Sequence, residues 1–321
     1  MTQPSPSPLS QTDTAPPVAG RVHRFVRWLL APYTDLLELL QYRQARKYSQ
    51  ARMALIAGLL LLAGAGFLAP WLFMLSGSLK SEQAMQAGGF NLFPHYLHYM
   101  NYPRALVRMH FINALANTIF VTTLCVFGQV ISSSLVGFGF ARHRFFGRNT
   151  LFVIMLSTLM LPAQVTIIPV FLLFRSLGWI NTFLPLIIPA WLASPFFVFM
   201  FRQFFAQIPE ELVEAARMDG CSEWTIYLRL MLPLSAPVIA ITAIFSFLGA
   251  WNDYFSPLIY LDSPQRYTLA LALASFNGQY GVTHPQYLLA ASCVTMLPCL
   301  VLFFAAQRYF VESQTFTGLK G

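Results

Sequence analysis

The sequence predicts an all-α integral membrane protein, and three observations carry that expectation. Of 321 residues, 56% are hydrophobic and only 10% are charged, where an average soluble domain is roughly 25% charged. Six apolar stretches each run about 19 residues or longer, the length a helix needs at 1.5 Å per residue to cross a hydrocarbon core of about 30 Å. The net charge of +8 would raise nucleic acid as a partner in a soluble chain. Here the basic residues gather beside the apolar runs, which is how membrane proteins set their orientation, so the expected partner is the bilayer and not nucleic acid. Cys125, Cys221, Cys293 and Cys299 form no C-x-x-C pair, so neither a disulfide framework nor a zinc ribbon is implied.

Residues 1–20 hold five prolines (Pro4, Pro6, Pro8, Pro16 and Pro17) among Ser, Thr and Gln. Such a composition cannot bury enough surface to fold, and a disordered tail is expected. Residues 21–50 alternate Arg21, Arg24, Arg27, Arg43, Arg46 and Lys47 with Phe25, Trp28 and leucines, broken at Pro32. Short amphipathic helices on the inner membrane surface fit that pattern. The first long apolar run begins only at Met53, deeper than the roughly 15–30 residues of a cleavable leader, so a retained span is expected. The six spans are residues 53–75, 112–140, 150–174, 183–201, 237–260 and 287–306. An even number of spans puts both termini on one side. The two tails and the 141–149 and 202–236 loops hold fifteen Lys and Arg residues; the opposite loops hold five, Lys80, Arg104, Arg108, Arg175 and Arg266. That asymmetry assigns both termini to the cytoplasm.

Several spans are unsuited to inert anchoring. Pro162, Pro169, Pro185, Pro189, Pro195 and Pro298 lie in or at the ends of spans, and each removes a backbone hydrogen bond that neighbouring helices or water must replace. Asn113, Asn117, Gln129, Ser132, Ser133 and Ser134 lie in the second span, Gln164 in the third, and Asn252 and Asp253 in the fifth. Polar groups in hydrocarbon cost free energy unless they face protein or water. A helical bundle enclosing a pathway is therefore expected, with Gln164, Asn252 and Asp253 as candidate lining. Joining one helix to another is the alternative role for Ser, Thr and Asn. Trp251, Tyr254 and Phe255 beside Asp253 suit either stacking on a sugar face or anchoring at the membrane boundary.

One cytoplasmic loop breaks the pattern. Residues 202–236 hold Glu210, Glu211, Glu214, Asp219 and Glu223, five of the chain's twelve acidic residues, and predict a structured loop. Pro209 suits a first helical turn, Glu210 and Glu211 favour the positive end of the helix dipole, and Gly220 suits the left-handed position that ends a helix. In the helix of about three turns between them, Leu212, Ala215, Ala216 and Asp219 fall on one side, thin enough at the alanines for another surface to approach closely. Ser222 suits the cap of a second short helix, which Pro233 is expected to stop before the fifth span.

These residues resemble a known family. Glu214-Ala215-Ala216, three residues, Gly220, nine residues, Leu230, one residue and Leu232-Pro233 are similar to the EAA loop of ABC importer permeases, with Leu230 where the family pattern has isoleucine. The run PEELVEAARMDGCSEWTIYLRLMLPLSAPVI, the segment WNDYFSPLIYL and the ending QRYFVESQTFTGLKG resemble the carbohydrate-uptake subfamily, in particular its second permease subunit. The resemblance covers roughly residues 50–321. It implies a type I importer transmembrane domain of six transmembrane helices in a bacterial inner membrane. It further implies a second, homologous permease that shares the translocation path, a cytoplasmic ATPase dimer and an extracytoplasmic solute-binding protein. Its coupling loop maps onto Glu210, Glu211, Glu214, Ala215, Ala216, Asp219, Gly220, Leu232 and Pro233, which would dock on the ATPase. The transported solute would be a carbohydrate or a similar hydroxylated compound, a non-sugar solute being the alternative.

The remaining motifs agree with a transport subunit that is not itself an enzyme. No G-x-x-x-x-G-K-[ST], H-E-x-x-H or G-x-S-x-G occurs in the chain, so ATP and magnesium are expected on the partner ATPase and no cofactor on this chain. His95 and His98 lack a third ligand nearby, and no metal site is expected. Gly137 and Gly139 lack the third glycine and the preceding strand of a dinucleotide site. An ion-coupled carrier would carry paired ionisable groups deep in its spans, where this chain has only Asp253.

Overall fold

The computed structural model describes residues 50–87, 96–275 and 284–317. The Pro-rich tail, the basic segment up to residue 49, His95 and residues 318–321 lie outside the described residues. The chain divides into two compact units, Met1–Ala63 and Gly64–Gly321. In the first unit, the start of helix α1 (Gln50–Ser78) presents Leu55, Leu59, Leu60, Leu61 and Leu62 as exposed side chains. That surface suits hydrocarbon and would be untenable in water.

The second unit contains the rest of α1, the short helices α2 (Glu82–Gln86) and α3 (Asn101–Arg108), and then the long helix α4 (Phe111–Arg142). Helices α5 (Arg148–Ser157), α6 (Ala163–Ser176), α7 (Leu184–Trp191), α8 (Pro195–Gln207) and α9 (Glu210–Met218) follow. Beyond these come α10 (Glu223–Thr225), a π-helical turn (Ile226–Met231), α11 (Leu232–Leu234), α12 (Ala236–Trp251), α13 (Phe255–Tyr260), α14 (Leu269–Ser275) and α15 (Pro285–Thr317). Among the described residues four helices are long and apolar enough to cross a membrane, and two bent helix pairs qualify if each is one span.

Helix α4 is the centre of the unit, packing against α7, α8 and α12. Its buried residues Ala114, Thr118, Val121, Cys125 and Gly128 recur every three or four positions and form one continuous seam. Glycine makes the approach possible at two points. A β-carbon at Gly128 would lie 2.4 Å from the Trp191 ring, and one at Gly137 would lie 2.6 Å from the Phe201 β-carbon. Without a hydrophobic driving force between helices in lipid, close van der Waals packing across small residues holds them together.

Three of the expected spans are interrupted, 183–201 only briefly, at residues 192–194 between α7 and α8. The stretch 150–174 bends by 102° between α5 with its 3-10 turn (Thr158–Met160) and α6. Pro162 cannot donate a helical hydrogen bond and drives Leu161 to extended backbone, φ −78° and ψ 117°. The stretch 237–260 leaves the helix after Trp251 and resumes at Phe255. There Asp253 Oδ1 accepts the Ser256 N–H at 3.1 Å, satisfying an otherwise unpaired donor of α13. Pro233 does not stop the helix before it. The chain stays helical through Leu234, and the 78° bend comes at Ser235.

Candidate functional site: the 202–236 loop and a polar cleft

The loop is anchored from beneath. Phe138 of α4, Phe201 and Phe205 of α8, Ile208, Val213, Ile226, Tyr227, Met231 and Val238 form one buried cluster. Pro209, with φ −54° and ψ 138°, turns the chain out of α8 and stands at the N-cap of α9. Glu210 and Glu211 occupy the first turn, where the helix dipole favours negative charge. Gly220 has φ +79°, and around it the Cys221 N–H reaches back to the Ala216 carbonyl at 3.0 Å. Ser222 Oγ accepts the Thr225 N–H at 3.2 Å, the expected cap.

Helix α9 is nine residues long, shorter than the three turns expected, and its thin face differs from the expected one. Val213, 1% exposed, points into the buried cluster, and Ala216 packs against it. Leu212, Glu214, Ala215, Asp219 and Met218, the last 88% exposed, face outward. One alanine of the pair therefore belongs to the core and the other to the open face, because the 100° advance of successive helical residues separates them. Arg217 Nε donates to Glu223 Oε1 at 2.9 Å, and His143 Nε2 stands 3.9 Å from the other carboxylate oxygen. The Glu223 hydrogen bond raises the affinity of Arg217 for its proton. Leu232 rests on the buried cluster, while Pro233 is exposed.

A second feature is a cleft of about 680 Å³ between α6, α7 and the interrupted α12–α13 segment. Gln164, Thr166, Asp253, Ser256 and Tyr260 supply its polar lining. Gln164 and Asp253, 89 positions apart in the chain, thus meet at one cavity. Asn252 does not join them; its amide donates to the Leu248 carbonyl at 2.9 Å and closes the end of α12. Trp251 is buried and stacks on Phe247 at 5.1 Å, so it is a core residue, whereas Phe255 lines the cleft. Phe174 and Tyr260, not singled out from the sequence, form an edge-to-face pair at 5.4 Å on the cleft wall. Their sequence signal is only that of aromatic residues near span ends.

The polar residues of the second span serve largely as helix joiners. Asn117 donates to the Gln265 and Tyr267 carbonyls, Ser132 to the Ala190 carbonyl, and the Ser134 and Tyr227 hydroxyls share a 2.7 Å bond. His98 lines a separate polar cavity with Glu82 and Arg104. Among the described residues no group of three metal-ligating side chains forms.

Residues 130–314, which include the whole loop, match the binding-protein-dependent transport system inner membrane component family. The chain belongs to that family. It is a permease subunit of an ABC importer, a multi-pass membrane protein and a transport component. Among its relatives is the arabinooligosaccharides transport system permease protein AraQ of Bacillus subtilis (strain 168), 34% identical over 286 residues, 87% of this permease and 99% of that protein. The melibiose/raffinose/stachyose import permease protein MelC of the same organism is 30% identical over 281 residues, 87% of this chain and 100% of that one. A solved bacterial ABC transporter involved in the import of the acidic polysaccharide alginate superposes with a TM-score of 0.74 at 25% identity, covering 82% of this permease and 99% of that chain.

Proposed function

We propose that this permease forms, with a related permease subunit, the translocation path for a carbohydrate, and that ATP hydrolysis in a separate ATPase dimer drives it. The observation that carries the coupling role is the outward face of α9. Leu212, Ala215 and Met218 are exposed beside Glu214 and Asp219, on a helix that the buried cluster holds at Val213. An acidic helix is repelled by an anionic inner leaflet, so this apolar patch suits a protein cleft and not lipid headgroups. Glu210, Glu211, Glu214, Ala215, Asp219 and Gly220 form the docking element, Ala216 and Leu232 seat it on the buried cluster, and exposed Pro233 borders it. ATP and magnesium reside on the ATPase, and a solute-binding protein delivers substrate from outside.

The cleft supports a hydroxylated solute. Asp253 and Gln164 offer acceptors and donors, and Phe255 and Tyr260 offer ring faces. Relatives named for arabinooligosaccharide and raffinose-type sugars support the same class. The test is purification of this chain from its native membrane. A separate ATPase should come with it, and uptake of arabino-oligosaccharide or raffinose into proteoliposomes should require both that ATPase and the binding protein. Hydrolysis or uptake by this chain alone would reject the reading. Orientation is checked with single cysteines at Gln203 and Gln83, which should label from opposite faces.

A further inference from the structure

We infer that α4 is a rigid strut linking the coupling loop to the external turn at residues 264–269, with Ser134 and Thr118 as its positioning residues; the inference rests on the importer reading above. Among the described residues that qualify as spans without a sharp bend, α1 carries Pro70, the α7–α8 stretch Leu184–Gln207 carries Pro189 and is interrupted at residues 192–194, and α15 carries Pro298, while the 32 residues of α4 contain no proline. A helix that keeps its full hydrogen-bond ladder bends least. At its cytoplasmic end α4 grips both flanks of the loop. Arg142 Nη2 donates to the Phe205 and Ile208 carbonyls just before α9, and the buried Ser134 hydroxyl bonds the buried Tyr227 hydroxyl just after α10.

At its other end α4 grips the chain that leads out of α13. Asn117 donates to the Gln265 and Tyr267 carbonyls at 2.9 and 3.1 Å, and buried Thr118 Oγ1 accepts the Leu269 N–H at 2.7 Å. Thr118 and Ser134 are 16 residues apart, about 24 Å along a helix. Buried polar bonds are costly to leave unmade, so neither end lets go easily when the loop is pushed. Movement of the docked loop therefore displaces the external turn as one piece with α4.

The test uses the complete transporter in lipid nanodiscs, with Arg266 on the exposed external turn replaced by a reporter cysteine. MgATP with vanadate traps the ATPase, and an impermeant maleimide reads reporter labelling against the same complex lacking the reporter. Trapping should change the labelling rate in the parent by more than the roughly twofold latitude of independent sites. Ser134→Ala and Thr118→Val should each abolish that change while ATPase retention and basal hydrolysis persist. The double variant should lose no more than either single, and Thr118→Ser, which keeps the hydroxyl, should retain the response. An insensitive parental reporter overturns the strut, as does a response that survives both single variants. Loss in Thr118→Ser equal to that in Thr118→Val also overturns it, since methyl packing would then be the cause. A complex that contains no ATPase or does not hydrolyse ATP overturns the importer reading instead.

Discussion

The 202–236 loop and the cleft at Asp253 differ in how their chemistry is assembled. The loop takes its cap residue, dipole charges, left-handed glycine and seat from one short stretch of chain, with α4 and α8 supplying the floor. The cleft draws Gln164 from α6 and Asp253 from the interrupted end of α12, elements far apart in the chain that meet beside α7 and through the Phe174–Tyr260 ring contact. Local chemistry makes the loop a device with a few indispensable positions. Convergence of distant segments makes the cleft a surface to which many residues contribute a little.

The largest effect should follow from Gly220→Leu. Its φ of +79° lies in the left-handed region, where a β-carbon costs roughly 1 kcal/mol or more. No atom crowds that site, so the strain falls on the backbone that ends α9. Uptake should vanish while the spans remain inserted; if coupling and uptake persist at parental levels, the contrast between an intolerant loop and a tolerant cleft is broken. Next comes Gly137→Ala, which puts a β-carbon 2.6 Å from that of Phe201. Overpacking of this kind costs about 1–3 kcal/mol. A lowered thermal unfolding midpoint in detergent, with docking retained, would show that α4 and α8 form the loop's floor by direct contact.

Smaller effects probe the cleft. Asp253→Ala should lower the transport rate by roughly ten- to a hundredfold, the equivalent of losing one hydrogen bond to a charged group at roughly 1.5–3 kcal/mol, and Gln164→Ala by less. ATPase retention should be unchanged in both. Parental uptake in both variants would move the pathway to the companion subunit. Smallest is Glu214→Lys. An exposed charge at a docking rim contributes about 0.2–1 kcal/mol, so ATPase association should weaken severalfold at low salt and recover as salt screens the contact. Salt-independent loss would place Glu214 inside the contact instead of at its edge.

The same contrast marks what could be read along the chain. Capping by Ser222, the left-handed Gly220 and the acidic first turn of α9 are short-range effects, and each was legible from its neighbours. Asn252 and Trp251 show the reverse. Both sit beside Asp253 in sequence, yet the end of α12 turns one back onto its own helix and buries the other against Phe247.

Composition, apolar length and basic asymmetry determined by themselves that this chain is a multi-span helical protein, because the bilayer imposes span length and penalises charge regardless of how helices pack. Proline positions marked where spans lose a backbone hydrogen bond, since a missing N–H acts locally, yet Pro162 ends in a bend while Pro169, Pro189 and Pro298 stay inside helices. Which interruptions became bends, which of Gln164, Asn252 and Asp253 share a cavity, and which alanine of the loop faces outward were decided only by tertiary structure. Those outcomes depend on the rotation of each helix about its axis, and that rotation is set by contacts such as Gly128 on Trp191 and Gly137 on Phe201, between residues more than 60 positions apart.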